Sequence, residues 1–260
     1  MMSILVRTLT QTDVPAVSGL IHDSFGAELR PFMTYTQHGI GAFLSVPLKY
    51  PGSDPERHLL VAVDGSKPQD VTGFAEFRVT DGNVGFLSYI CVAESARGRG
   101  VARALLGSFR DEHPELNELR LDVFRDNAPA VSLYRKLGFK PTSAVAWVTR
   151  SMPPPAGAAR IRSLPTAMAN FNAYGFCEME VVGEASATRI GLIGEKVLRC
   201  FSAQAFDDDV LLSKLSGHFP RTETALVILP AASVPKISSI HQVINLSDRM
   251  KLSLRGRPAL

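Results

Sequence analysis

The sequence predicts an α/β protein that has a mixed sheet with helices on both faces and a second, smaller α/β domain. Strand-like and helix-like patterns alternate through residues 1–152. A run of three prolines then breaks the pattern at residues 153–155. A shorter series of strand-like runs follows in residues 161–260. Alternation of this kind favours a layered α/β architecture over an all-helical or all-β one.

The first part of the chain predicts the order strand, helix, three strands, helix, strand, helix, strand. In the first helix, Thr12 or Asp13 is a suitable cap, Val14, Val17 and Ile21 recur at helical spacing, and Gly26 is a suitable end. Residues 27–50 are expected to be irregular, and residues 81–83 predict a turn. The predicted strands cover residues 4–9, 59–63, 73–79, 86–92 and 119–124, and the later helices begin near residues 100 and 127.

We expect three segments: a domain over residues 1–152, a Pro/Ala-rich linker over 153–160 and an α/β domain over 161–260. Consecutive prolines remove backbone donors and force extended geometry, which favours a linker, although a long loop within one domain has the same composition. In the last segment, strands are predicted at 176–182, 188–193, 196–201, 225–229 and 249–254, and helices at 207–215 and 235–244.

Composition excludes several classes of protein. The chain has 260 residues, is 45% hydrophobic and carries a net charge of only +3, which argues against disorder and against nucleic acid as a main partner. Its apolar runs are too short for a membrane helix, since one needs roughly 20 residues. The three cysteines lack CxxC spacing and no secretory pattern opens the sequence, so we expect a cytoplasmic protein without disulfides.

A glycine-rich turn between the fourth predicted strand and the next helix is the most informative feature. Gly98 and Gly100 allow unusual backbone dihedrals just before the helix that begins at Val101. The first amides of a helix have no internal partner and favour an anion, and nearby arginines add positive charge. The turn therefore predicts a phosphate or pyrophosphate site. It matches neither a GxxxxGK[ST] loop nor a complete GxGxxG fingerprint.

Two motifs resemble the GCN5-related N-acetyltransferase (GNAT) family. Arg97-Gly-Arg-Gly100-Val-Ala102 fits the family signature Arg/Gln-x-x-Gly-x-Gly/Ala. Residues 119–139, with Asn127, Tyr134 and a final Gly-Phe pair, are similar to a second family segment. The resemblance covers residues 1 to about 152, and it implies a mostly antiparallel sheet and acetyl-CoA as the co-substrate. Residues 161–260 look like a degenerate second GNAT half that we expect not to bind acetyl-CoA, and an unrelated α/β appendage is the open alternative.

The resemblance also implies roles for individual residues. The family holds the pantetheine arm with backbone groups of the fourth strand, here Ile90, Cys91 and Val92, and Asn127 matches a residue that contacts the arm. Tyr134 matches the tyrosine that protonates the leaving thiolate. An N-cap role for Asn127 and a core role for Tyr134 remain open alternatives. The turn amides that would hold the pyrophosphate belong to Arg97, Gly98, Arg99, Gly100, Val101 and Ala102.

The group that accepts the proton of the amine is not fixed by the sequence. Glu76 and Tyr89 lie on the third and fourth predicted strands and are candidates, although Glu76 also suits a solvent-facing strand position. Cys91 has no His or Asp pattern beside it, so we expect a buried apolar role rather than a nucleophile. The six histidines show no ligand spacing, and we expect no metal.

The resemblance implies that the segment between the first two strands, residues 26–58, selects the acceptor. Its candidate lining residues are Phe32, Met33, Tyr35, His38 and Phe43, which are equally suited to packing. We expect N-acetyl transfer to a primary amine of a small molecule. The alternatives are a protein or peptide acetyltransferase and a non-catalytic acyl-CoA-binding regulator. A homodimer is a candidate assembly.

Overall fold

The chain forms two compact units in a computed structural model, which describes residues 3–80, 83–183 and 187–254. Among these residues, unit 1 comprises 3–25, 44–80, 83–142 and 248–254. Unit 2 comprises 26–43, 143–183 and 187–247. The predicted turn at residues 81–83 lies outside the described residues except for Asn83.

The described residues contain alternating helices and strands. The helices are α1 (Val14–Asp23), α2 (Ile40–Lys49), α3 (Val101–Glu112), α4 (Ala128–Lys136), α5 (Leu164–Tyr174), α6 (Ala203–Asp207) and α7 (Asp209–His218). The strands are β1 (Ile4–Thr8), β2 (Arg57–Asp64), β3 (Lys67–Thr80), β4 (Val84–Val92), β5 (Glu118–Phe124), β6 (Lys140–Ser151), β7 (Ile161–Arg162), β8 (Phe176–Val182), β9 (Ala187–Ile193), β10 (Val197–Cys200), β11 (Thr224–Pro230) and β12 (Gln242–Ser253).

Unit 1 has the strand order β1-β2-β3-β4-β5-β12, in which β4 and β5 are parallel and the pairs from β1 to β4 are antiparallel. The amphipathic helix α3 covers one face, where the rings of Phe77 and Phe109 stack with centroids 4.0 Å apart. Helix α1 contributes the fully buried Val17 and Ile21 and contacts β3 and β4. Apolar residues at helical spacing thus create the faces that fix both helices to the sheet.

Unit 2 repeats this order with β7-β8-β9-β10-β11 followed by β6. Here β10 and β11 form the parallel pair, and β6 is antiparallel to β11. Helices α5, α6 and α7 contribute to a core with Leu192, Leu198 and Val227. The same succession of strand pairs in both units agrees with a duplicated fold.

The last strand of each half of the sequence belongs to the other unit. Residues 143–151 of β6 lie in unit 2, and residues 248–253 of β12 lie in unit 1. The units therefore do not coincide with the expected domains 1–152 and 161–260. The expected linker 153–160 is extended, but it lies within unit 2, where Ala156 donates to Ser213 O and Ser216 donates to Pro153 O. It is held to α7 rather than separating the units.

The predicted mixed α/β fold is confirmed, and two local expectations are wrong. Residues 27–50 contain α2, in which Pro47 lies. The helix expected at 235–244 is a short 3-10 helix, Ala231–Lys236, followed by β12 from Gln242. Helix α5 is not among the predicted elements, because its hydrophobic side is broken by polar residues.

Candidate active site

Strands β4 and β5 separate part-way along their length. Their parallel pairing runs from Val84 opposite Glu118 to Leu87 opposite Leu121. Beyond that point β4 continues to Val92 and β5 to Phe124 without a further described pair between them. A gap therefore opens between two strand edges whose peptide groups can bind an extended ligand arm.

The backbone of Ile90 and Val92 faces this gap. Ala93 N donates to Thr72 O at 2.9 Å, so the Ala93 amide points toward β3. Successive peptide groups of a strand point to opposite edges, and the amide of Val92 therefore points toward β5, as does that of Ile90. Between them, Cys91 is 6% exposed, and burial raises the pKa of its thiol to about 12. A thiol with that pKa is not poised as a nucleophile.

A β-bulge lies at the start of the gap. Glu76 is opposite Tyr89, whereas Phe77 is opposite Leu87, so β4 contains one extra residue at Ser88. Leu87 packs in the core beneath α3, whereas Tyr89 contacts residues at the end of α1. The bulge thus turns the Tyr89 side chain to the α1 face.

The glycine turn presents free helix amides to open space. Gly98 has φ +73° and Gly100 has φ +90°, values that L side chains rarely adopt, and a Cβ built on either would have no atom within 4 Å. Ala104 N donates to Gly100 O, so the amides of Val101 and Ala102 precede the first helical hydrogen bond of α3. These glycines are needed for backbone conformation, and the space beside them can admit a phosphate.

Two of the expected cradle amides are already engaged. Arg97 N donates to Glu94 O at 3.2 Å, and Arg99 N donates to Ala96 O at 3.3 Å. The exposed side chains of Arg97, Arg99 and Arg103 form no ion pair with any residue that the structure describes. The amides of Arg97 and Arg99 are therefore not available to a ligand, whereas their side chains can add positive charge near the start of α3.

Asn127 is the N-cap of α4. Its side-chain oxygen accepts a hydrogen bond from Ala130 N at 3.2 Å, and the residue is exposed. The capping alternative is therefore observed. Because an asparagine side chain also carries two N–H donors, capping leaves those donors for a ligand.

Tyr134 lies on the inner face of α4. Its side chain is 4% exposed, and its ring meets the Phe139 ring edge-on with centroids 5.6 Å apart. The hydroxyl forms no hydrogen bond within the described part of the chain. Burial raises the pKa of Tyr134 above its ordinary value of about 10, so the hydroxyl stays protonated and can donate.

Glu76 lies in a buried ion pair. Arg57 Nη2 is 2.8 Å from Glu76 Oε2, and each side chain is 2% exposed. Arg78 Nε is 3.9 Å from the other carboxylate oxygen, and Arg78 in turn pairs with Asp54. Glu76 is therefore buried and does not occupy a solvent-facing strand position. Both carboxylate oxygens of Glu76 thus lie next to guanidinium groups rather than being open to an amine.

The hydroxyl of Tyr89 reaches the end of α1. The Ser24 hydroxyl donates to Ile21 O at 2.6 Å, so it accepts a short hydrogen bond from the Tyr89 hydroxyl. The Tyr89 ring also lies 5.7 Å from that of Phe25, between centroids. Ser24 has no recognisable motif in the sequence, because only the fold brings residues 24 and 89 together.

The candidate acceptor residues Phe32, Met33, Tyr35, His38 and Phe43 all lie in unit 2. Gly39 N donates to Tyr174 O, and a Cβ on Gly39 would lie 2.1 Å from Ala173 O. The Phe43 ring meets the rings of Tyr174 and Phe176 edge-on. The whole segment 26–43 is thus an integral part of unit 2 rather than a loose loop.

A basic groove of about 550 Å³ follows the exposed side of α4 in unit 1. Ala128 and Val131 line it, and its charged lining residues are Arg125, Arg135, Lys136 and Asp248. The described residues contain no group of three or more His, Cys, Asp or Glu side chains that could hold a metal ion. None of the described helices is long and apolar enough to span a membrane.

The family model of the acetyltransferase (GNAT) family matches residues 25–139. This part of the chain is a GNAT acetyltransferase domain. GNAT enzymes transfer the acetyl group of acetyl-CoA to amines, which assigns this domain to the acetyl-CoA-dependent acyltransferases. The matched residues contain the separated strands, the glycine turn and α4. No curated protein sequence matches the chain.

Solved structures show that the tandem GNAT fold covers nearly the whole chain. A tandem GNAT protein from the clavulanic acid biosynthesis pathway has a TM-score of 0.65 at 12% identity, over 98% of this chain and 100% of that one. A putative acetyltransferase from Pyrococcus horikoshii has a TM-score of 0.61 at 14% identity, over 97% and 90%. A GNAT from Sphaerobacter thermophilus has a TM-score of 0.60 at 13% identity, over 99% and 98%.

Proposed function

We propose that the chain is an N-acetyltransferase that uses acetyl-CoA to acetylate a primary amine of a small molecule by direct attack on the thioester. The observation that carries the proposal is the gap between β4 and β5 beyond Leu87, next to the free amides at the start of α3. One element can bind an extended pantetheine arm, and the other can bind a diphosphate.

The amides of Gly98, Gly100, Val101 and Ala102 hold the pyrophosphate in this proposal. Hydrogen bonds to a charged group each contribute about 1.5–3 kcal/mol, so a few converging amides suffice without a metal. The backbone of Ile90 and Val92 binds the arm, and Asn127 adds a side-chain donor. Acetyl-CoA, when bound, supplies the activated acetyl group.

The chemistry then depends on two hydrogen-bond donors. An amide facing the gap, most simply that of Val92, donates to the carbonyl oxygen as it becomes negative. The protonated Tyr134 hydroxyl donates to the departing thiolate. Because the pKa of Tyr134 is raised above that of a thiol, about 8.5, we infer that Tyr134 stabilises the thiolate by hydrogen bonding rather than by complete proton transfer.

Tyr89 is the better placed of the two candidates for receiving the proton of the amine. Glu76 is held between Arg57 and Arg78, whereas the Tyr89 hydroxyl is linked through Ser24 to an exposed position. The Tyr89 oxygen takes the amine proton, the Tyr89 proton moves to the Ser24 oxygen, and the Ser24 proton leaves Ile21 O for water.

Ligand-dependent unfolding and turnover test this proposal together. Saturation at about 100 times Kd should stabilise the parent by roughly 2.7 kcal/mol, whereas Gly100→Val should lose this gain. Gly52→Val is a matched control, since Gly52 has φ +83° and no atom within 4 Å of a built Cβ, but belongs to the turn before β2. It should lose stability and keep the response to acetyl-CoA.

The acceptor class is tested by measuring the release of the coenzyme A thiol, first with free amines and then with peptides as acceptors. Turnover with free amines supports the proposal. Turnover with peptides alone would instead select a peptide acetyltransferase, and binding without any turnover would select a regulator. An absent response to acetyl-CoA in the parent would overturn the proposal.

A further inference from the structure

Three ion pairs connect β12 to β5 and to the turn that follows β5. Lys251 lies 3.6 Å from Glu118, Arg249 lies 2.8 Å from Asp122, and Asp248 lies 2.7 Å from Arg125, each between the charged atoms. From Glu118 through Asp122 to Arg125 the partners run backwards along β12, from Lys251 through Arg249 to Asp248. This order is that of antiparallel neighbours. All three pairs lie within unit 1.

Two of these pairs lie where β4 no longer supports β5. Leu121 is the last residue of β5 that pairs with β4, and Asp122 follows it directly. Arg125 lies two residues before Asn127, which caps α4. The Glu118–Lys251 pair lies at the other end of β5, where Glu118 is still opposite Val84.

Arg249 and Asp122 form a two-pronged contact. Arg249 Nε lies 2.9 Å from one carboxylate oxygen of Asp122, and Nη2 lies 2.8 Å from the other. This contact raises the pKa of Arg249. A forked pair fixes direction as well as distance, which a single contact does not.

The strand that carries these charges is itself firmly held. Met250 is 1% exposed and Leu252 is fully buried, both in the core beneath α3 and α4. Thr142 donates to Arg249 O at 3.1 Å, and Leu254 N donates to Asn117 O at 2.9 Å. β12 is therefore a fixed support from which Asp248 and Arg249 can restrain the opposite strand.

We propose that Asp248 and Arg249 are positioning residues for the coenzyme A cleft. They hold the separated end of β5 and the start of α4, and so fix the width of the gap and the place of Asn127. This role rests on the proposed function, because it assumes that coenzyme A binds in the gap. Residues at the far end of the sequence would thus tune the affinity of a site formed by residues 90–134.

Charge reversal tests the role of the forked pair. Asp122→Arg and Arg249→Asp should each raise the Kd for coenzyme A, measured by titration calorimetry, by about fivefold, and the double variant should return it to within about twofold of the parent. Turnover at saturating acetyl-CoA should change less than KM, because only the cleft is altered. Asp122→Asn keeps the shape of the side chain and removes its charge, so it should give a smaller increase in Kd. It also serves as the test variant if a charge-reversal variant does not fold.

Lys251→Glu is the matched control, since it reverses a charge on the same strand opposite the paired end of β5. Its Kd for coenzyme A should equal that of the parent. Single variants with a lower melting temperature and an unchanged Kd would overturn the positioning role, as would a double variant as weak as the singles. A parent that does not bind coenzyme A would instead overturn the proposed function itself.

Discussion

Arg57 Nη2 on β2 lies 2.8 Å from Glu76 Oε2 on β3, and each side chain is 2% exposed. Removing one partner of a buried pair leaves the other charge without compensation, which costs about 3–5 kcal/mol. Glu76→Gln should therefore lower the free energy of unfolding by roughly that amount. The turnover of the folded fraction should fall by less than about tenfold, because Glu76 is occupied by Arg57 rather than by the amine.

Urea unfolding and turnover, measured on the same preparation, separate the two effects. Arg162→Gln is a control, because the Arg162–Glu180 pair is exposed and should matter little. A stable Glu76→Gln protein that has lost catalysis would make Glu76 the base after all.

Tyr134→Phe should lower kcat by about 10- to 100-fold while the melting temperature stays close to that of the parent. The ring is packed against Phe139 and remains, whereas the donor to the departing thiolate is lost. Because burial raises the pKa of Tyr134, the protonated form persists to higher pH than for a free tyrosine. The parent should therefore keep its Tyr134-dependent rate up to at least about pH 10, as a pH profile of kcat would show.

Phe139→Leu is the matched comparison for Tyr134→Phe, because it alters the contact between the two rings and leaves the Tyr134 hydroxyl in place. It should lower the melting temperature and retain most of the turnover of the folded protein. Equal turnover in the parent and in Tyr134→Phe would remove Tyr134 from the chemistry.

His58 should make the protein less stable in mild acid. Burial, followed by the nearby His113 ring at 4.3 Å between centroids, lowers the pKa of His58. Its folded-state pKa is below the unfolded value of about 6.5, so its stabilising contribution is present above that pH and is lost as pH falls below it. His58→Phe keeps an aromatic ring beside Phe109 and removes the titration.

Unfolding free energies at pH 7.5 and 5 should differ less in His58→Phe than in the parent. His22→Phe, at an exposed position, should keep the slope of the parent. An identical pH dependence in all three proteins would show that His58 does not contribute.

A chain truncated after residue 152 should not form a stable acetyltransferase unit. It lacks Met250 and Leu252, whose burial contributes about 1.5–3 kcal/mol each, a large part of a typical total of about 5–15 kcal/mol. Hydrogen exchange should show weak protection in β5, and adding a peptide of residues 242–254 should increase it. Full protection and full activity without the peptide would contradict this prediction.

Local sequence patterns predict β4, the glycine turn and α3, because dihedral freedom at Gly98 and Gly100 and the spacing of Val101, Leu105 and Phe109 are local properties. The roles of Asp122, Asp248 and Ser24 are not predictable in this way, since each depends on a partner far away in sequence. The packing of residues 153–160 against α7 cannot be predicted from the local sequence either, because α7 lies about 50 residues further along the chain. Three prolines specify an extended backbone, but they do not specify what that backbone packs against.

The exchange of last strands affects the synthesis of the protein on the ribosome. β5 is complete at Phe124, but its neighbour β12 supplies Asp248 and the residues after it only about 120 residues later. At about 5–20 residues per second, the outer edge of β5 stays unpaired for roughly 6–25 s of synthesis. An unpaired edge invites pairing with other chains, so the nascent protein has a time window in which chaperones or slow translation decide between folding and aggregation.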